Sequence, residues 1–265
     1  MSRGLLDDAT LNSINAGLPD SLTRLRRVLS LSPDVISMKF PPDSDVPIAA
    51  VCLVDAAHTL AGARHALFEF HAHSIFYREK PAPPEPMTAV WYERYYADDV
   101  ALRLYSAAEH IASALVFMFQ ISETQLKLFR KPGRTSLQSV VGHFLLKTKK
   151  SLPVSKSLKV LAGSKAWNST VTYRNEWVHA QPPTIHGLGI MYHRKKRWKT
   201  TADGSFHLGV GGGDAPKYTT AQLVAFIEPA FQLLLKSFDA CVDAYLDILG
   251  KRGIIVSGSE LSIKI

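Results

Sequence analysis

The placement of proline constrains this chain more than any other feature. Residues 48–77 contain no proline and a single glycine, and the run Pro81-Ala82-Pro83-Pro84-Glu85-Pro86 follows at once. Proline has no backbone N–H and drives its predecessor out of the α region, so this run reads as an extended connector. The apolar stretches beside it are free to form long helices. Over 48–77, Val51, Val54, Ala57, Leu60, Leu67 and Phe70 return near helical spacing, which predicts one long helix. Beyond the connector, Leu104, Ala108, Ile111, Leu115 and Met118 recur at steps of three and four, predicting a helix over 90–119. Asp98 and Asp99 suit the first turn of the clearest part of that pattern.

The rest of the chain follows the same grammar. Gly4, Gly17, Pro19, Pro33, Pro41, Pro42 and Pro47 break up residues 1–47, leaving an N-terminal extension with room for one short helix over 20–30. Pro132-Gly133 closes a turn, and helices are expected over 136–149 and, with breaks, over 155–177, with Pro153 between them. Glycines interspersed with aromatic and branched residues over 184–218 read as a β-hairpin-like insert. Thr219 or Thr220 suits the cap of a last helix over 219–249, whose stripe includes Phe231, Leu234 and Phe238. Pro229 should kink or split that helix, and Gly250 and Gly253 should stop it, leaving 251–265 as a tail. The expected fold class is all-α: a helical bundle over 48–250 with the insert at 184–218 before the last long helix.

With 265 residues, 46% of them hydrophobic, the chain can bury a sizeable core. No run approaches the roughly 18 consecutive apolar residues of a membrane-spanning helix, and Asp7 and Asp8 oppose a signal peptide. A soluble, cytoplasmic protein without a membrane role is the expectation. Cys52 and Cys241 sit in apolar helical patterns with no metal-ligand spacing, so both read as buried reduced thiols. The 31 Lys plus Arg against 23 Asp plus Glu give a formal charge of +8, which favours approach to polyanions such as RNA. That charge concentrates in His193-Arg194-Lys195-Lys196-Arg197-Trp198-Lys199, a run expected to be exposed.

Several chemistries fail on spacing. Gly211-Gly212-Gly213 lacks the Lys-Ser/Thr of a phosphate-cradling loop. His58, His65, His71 and His73 share a predicted helix but lack the His-Glu-x-x-His spacing of a zinc hydrolase, so neither metal nor cofactor is expected. There is no Gly-x-Ser-x-Gly elbow. Arg174-Asn175-Glu176-Trp177-Val178-His179 differs, because it combines a planar permanent cation, an amide and an imidazole that titrates near neutrality. Metal-free phosphodiester cleavage can use those groups. On a helix, Asn175 and His179 fall one turn apart with Arg174 about 100° away, while Trp177 and Val178 should turn toward the core. The alternative use of Arg174 and His179 is to cap a helix C-terminus that Pro182 and Pro183 end.

At these residues the chain resembles the HEPN superfamily, helical bundles that carry an Arg, usually followed by a polar residue, and a His after four to six more. Arg174-Asn175 followed by His179 has that form, and Tyr96-Ala97-Asp98-Asp99 through Glu109-His110 resembles the second helix of a bacterial HEPN-like group. The resemblance spans roughly 48–180 and 219–249. It implies a homodimer whose motifs meet at a shared cleft and, in active members, metal-independent RNA cleavage of toxin or defence type. Other members have lost activity and only bind, so the alternative is a catalytically silent module that binds nucleotide or RNA or partners an enzyme encoded elsewhere; an antitoxin or other partner protein would act on the chain in either case. His179 would be the general base, Arg174 would stabilise charge on the phosphorane, and Asn175 would orient either group. Glu109 would hold Arg174, or else lie as a charged residue on the outer face of its helix. Arg194, Lys195, Lys196, Arg197, Trp198 and Lys199 would guide and stack the RNA.

Overall fold

The computed structural model describes residues 4–20, 22–80, 83–132, 136–179, 182–188, 197–209, 216–257 and 260–263. Ten helices and two two-stranded antiparallel sheets are present among them. The frame is a hairpin of two long helices, α4 (Val46–Glu79) and α5 (Pro86–Met118). Proline sets both starts, occupying the first turn of each helix, where an N–H has no intrahelical partner to lose. The two helices meet along alanine-rich faces, with Ala49, Ala56, Ala63, Ala101, Ala108 and Ala112 all buried. Small side chains allow a close approach, and Gly62 carries it furthest: a Cβ there would lie 2.6 Å from the Arg103 guanidinium. Arg103 is in turn held by Asp99 at 2.9 Å.

A third long helix, α10 (Thr220–Lys251), packs against α5 and closes the core. Thr219 caps it, with the Thr219 hydroxyl accepting from Gln222 N and the Gln222 side chain accepting from Thr219 N. Leu104, Ala108, Ile111, Leu115, Phe231, Leu234 and Phe238 are all 3% exposed or less, which settles the period read from the sequence. Pro229 does not split α10. Pro229 and Ala225 both lie on the exposed face, so the carbonyl freed by the missing N–H can be met by water.

Other expectations are corrected. Residues 1–47 supply three short helices, α1 (Asp8–Gly17), α2 (Leu22–Leu29) and α3 (Pro33–Ser37), each packed against α4. Arg64 of α4 fastens this segment by donating to the carbonyls of Pro19 and Asn15. Asp98 and Asp99 lie inside α5 and not at its start. A short helix, α6 (Glu123–Lys127), begins at a capping box on Ser122 and Gln125. The tail is not featureless, since β3 (Ile254–Ser257) pairs with β4 (Glu260–Ile263). Cys241 is buried as expected, but Cys52 is only half-buried, and both are free thiols.

Three helices build the side of the bundle that matters for function: α7 (Leu137–Thr148), α8 (Pro153–Gly163) and α9 (Lys165–His179). Pro153 opens α8 at its first turn and does not merely interrupt the chain. The 184–218 insert contains the expected hairpin, β1 (Arg197–Thr200) paired with β2 (Phe206–Gly209), in the register Trp198 to Leu208. Its neck is closed by a bridge between Ile185 and Tyr218 and by Lys217 N donating to Thr184 O at 2.9 Å.

By length and composition α4 and α5 could each cross a membrane; half of the most apolar window of each is buried inside the fold. That pairing also buries Glu93 of α5.

Candidate functional site

The inner face of α9 is fixed by Trp167, Thr170 and Tyr173, buried at steps of three. Tyr173 packs on Tyr218 and Phe226, and its hydroxyl donates to Asp98 of α5. Burial pushes the Asp98 carboxyl above its ordinary range, while the Tyr173 hydroxyl, Arg94 and the Trp177 indole pull it back. Near the other end Lys217 donates to Glu176, tying α9 to the residues that lead into α10. With α9 anchored by these side chains, Arg174, Asn175 and His179 are left on a different face.

They line one cleft of about 500 Å3, within the roughly 300–1,000 Å3 usual for small-molecule sites. Four helices frame it: α7 and α9 each pack on both α5 and α8. Arg174 donates from Nη1 to Asn175 Oδ1 at 3.0 Å and to His179 Nε2 at 3.2 Å. A guanidinium can only donate, so in this contact Nε2 is the acceptor. The guanidinium stacks on the Tyr105 ring, 4.0 Å from its centroid. Arg174 Nε is buried without a hydrogen-bond partner. An N–H left in that state costs about 1–3 kcal/mol, so the cation is held in place more by position than by a full set of bonds.

Trp177 and Val178 depart from expectation. They are 37% and 40% exposed, because the buried stripe of α9 ends at Tyr173. His179 is exposed at that helix end.

Glu109 has a different task from the one anticipated. Its carboxylate accepts the backbone N–H groups of Leu137 at 3.1 Å and Gln138 at 3.3 Å, capping α7 where Ser136 makes no side-chain cap. Arg174 acts on it as a nearby charge. Glu109 therefore couples the placement of α7 to the motif, while Tyr105, Asn175 and His179 hold Arg174. Burial raises the Glu109 carboxyl above 4.5, against those two N–H groups and the Arg174 charge. The folded state then binds this proton more tightly than the unfolded chain, so this group makes stability fall as pH rises from 4.5 through the raised value. Glu109→Gln should remove that contribution. In denaturant titrations at a series of pH values, wild-type stability minus variant stability should decline as pH rises through the window; a flat difference would refute the assignment.

The sequence reading missed Tyr105, one turn before Glu109 on α5, and the α7 wall with Gln138, Ser139 and His143. Asn168, one turn and more before Arg174 on α9, also faces the cleft. Of the residues assigned to RNA contact, Arg194, Lys195 and Lys196 lie outside the described residues; Arg197, Trp198 and Lys199 are described as backbone of β1 only. The helical histidines find other partners: His71 meets Glu228 at 2.8 Å, and His73 bonds the Glu69 carbonyl at 2.9 Å under the rings of Tyr92 and Tyr96. Among the described residues, no group of three or more His, Cys, Asp or Glu side chains is gathered to hold a metal ion. Searches of family models, curated proteins and solved structures returned no match to this chain.

Proposed function

We propose that the chain is an endoribonuclease of the HEPN kind, of toxin or defence type, which cleaves without a metal ion. The observation that carries this reading is the convergence of Arg174, Asn175 and His179 on one cleft, with Arg174 hydrogen-bonded to both of the others. A phosphate entering the cleft competes for the guanidinium, for which it is the stronger acceptor. As Arg174 turns its N–H groups to the phosphoryl oxygens, His179 Nε2 is released with its lone pair free. Nε2 then takes the proton of the ribose 2′-hydroxyl, O2′ attacks phosphorus, and the bond to O5′ breaks. Charge gathering on the equatorial oxygens meets the planar fork of Arg174. The products are a 2′,3′-cyclic phosphate and a 5′-hydroxyl.

The working form in this proposal is a homodimer whose two motifs share a cleft; the exposed Trp177 and Val178 beside His179 support an apolar contact there. Purified protein on mixed RNA in excess chelator, with end-group analysis, is the test: cyclic phosphate and 5′-hydroxyl ends are expected, at a rate the chelator does not change. Activity lost on chelation would overturn the mechanism. A second reading, a module that binds nucleotide or RNA without cutting, draws on the same Arg174 to His179 bond, which occupies the lone pair a base must use. RNA that binds tightly and stays whole would favour it.

A further inference from the structure

We propose that His143 is the general acid of this site, protonating the departing O5′ while His179 removes the 2′-hydroxyl proton. This deepens the ribonuclease reading and rests on it. An alkoxide is a poor leaving group, and a guanidinium, which keeps its proton in proteins, is a poor proton source. The geometry supplies a better one. His143 is carried by α7 and His179 by α9, two helices that α5 and α8 hold apart, and both imidazoles line the same cleft.

In-line displacement needs a base beside the entering oxygen and an acid beside the leaving one, with phosphorus between them. Two imidazoles carried by separate helices into one cavity can serve the two ends, and Arg174, stacked on Tyr105, lines the same cavity. His143 is half-buried and set edge-on against Phe129, with ring centroids 5.7 Å apart, so its position is fixed by packing. Glu109 contributes indirectly: by capping α7 it sets where His143 enters the cleft. Among the described residues, the other titratable groups in the lining are Tyr105 from α5 and Arg174 and His179 from α9; α8 contributes Leu158, Leu161 and Ala162, which do not titrate. The protons balance. His179 gains one from O2′, His143 loses one to O5′, and the two exchange with solvent before the next turnover.

The test is a pair of dinucleotide substrates, one with the natural 5′ oxygen and one with sulfur at that bridging position. A thiolate leaves without a proton, so the sulfur substrate does not need the acid. His143→Gln and His143→Asn should slow cleavage of the oxygen substrate by about 10² to 10⁴, the usual contribution of one proton-transferring group, and of the sulfur substrate by less than about tenfold. His179→Gln should slow both by the larger factor. Equal losses on the two substrates, in variants that melt where the wild type does, overturn the role of His143 and leave the ribonuclease reading standing. Wild-type protein that cuts neither substrate overturns both.

Discussion

His179→Ala should lower RNA cleavage by about 10² to 10⁴, the range for loss of one positioned proton-transfer group. The fold should not change. His179 is exposed at the last residue of α9, and the helix is anchored through Trp167, Thr170 and Tyr173, none of which touches the imidazole in any bond described above. Arg174→Lys should fail as well, by about 10² to 10³ if the lost donors act on the developing oxyanion. A lysine keeps the charge but loses the planar fork and the flat face that stacks on Tyr105. Single-turnover rates on one defined oligoribonucleotide, beside melting temperatures, separate chemistry from folding. Cleavage that survives His179→Ala unchanged would show that another group is the base, whatever Arg174 does.

That site was only half legible in the sequence, and the halves divide at the boundary between local and non-local information. Arg174, Asn175 and His179 lie within six residues, so helical geometry alone brings them together once α9 is assumed. Tyr105 and His143 are far from the motif in the chain, and only the packing of α7 and α9 around α5 and α8 delivers them to it. His143 was hidden further by its neighbours, because Val140, Val141, Phe144 and Leu145 gave α7 the appearance of a helix with nothing to add but core.

The same division explains the fold. The long helices were readable because apolar residues recur along them at helical spacing, with proline near the start of α4 and α5 and a Thr cap on α10. Asp98 and Asp99 misled because acidic residues favour a first turn, whereas here Asp98 is an interior acceptor for Tyr173. The short N-terminal helices had local signals that proline masked: Asp7 caps α1 by accepting from Thr10 N at 2.8 Å, and Asp20 accepts from Thr23 N at 3.1 Å. The tail hairpin was announced by Ile254-Ile255-Val256, a β-branched run following Gly253 at a φ of 77°.

Removing Arg78 should cost more stability than any other single change at the polar seam of the bundle. Glu93 of α5 is 2% exposed, and its carboxylate gathers Arg78 and Ser74 from α4 and Thr220 from α10. Arg78 grips it with two bonds, Nε to Oε1 at 2.9 Å and Nη2 to Oε2 at 2.8 Å. One carboxylate thus fastens the three longest helices at one point. The two charges are not equivalent, because the Arg78 side chain is 43% exposed while that of Glu93 is 3% exposed. If Glu93 is lost, Arg78 can return to water. If Arg78 is lost, the carboxylate stays inside with two hydroxyls for company, and breaking a buried pair in that direction costs about 3–5 kcal/mol. Arg78→Ala should therefore destabilise more than Glu93→Leu, and the double variant Arg78→Ala with Glu93→Leu should recover much of the loss, since no charge then remains buried. Chemical denaturation of the four proteins closes the cycle. A cost below about 1 kcal/mol for Arg78→Ala, the level of an exposed ion pair, would mean that water already reaches Glu93 and that the helices are held by their alanine faces alone.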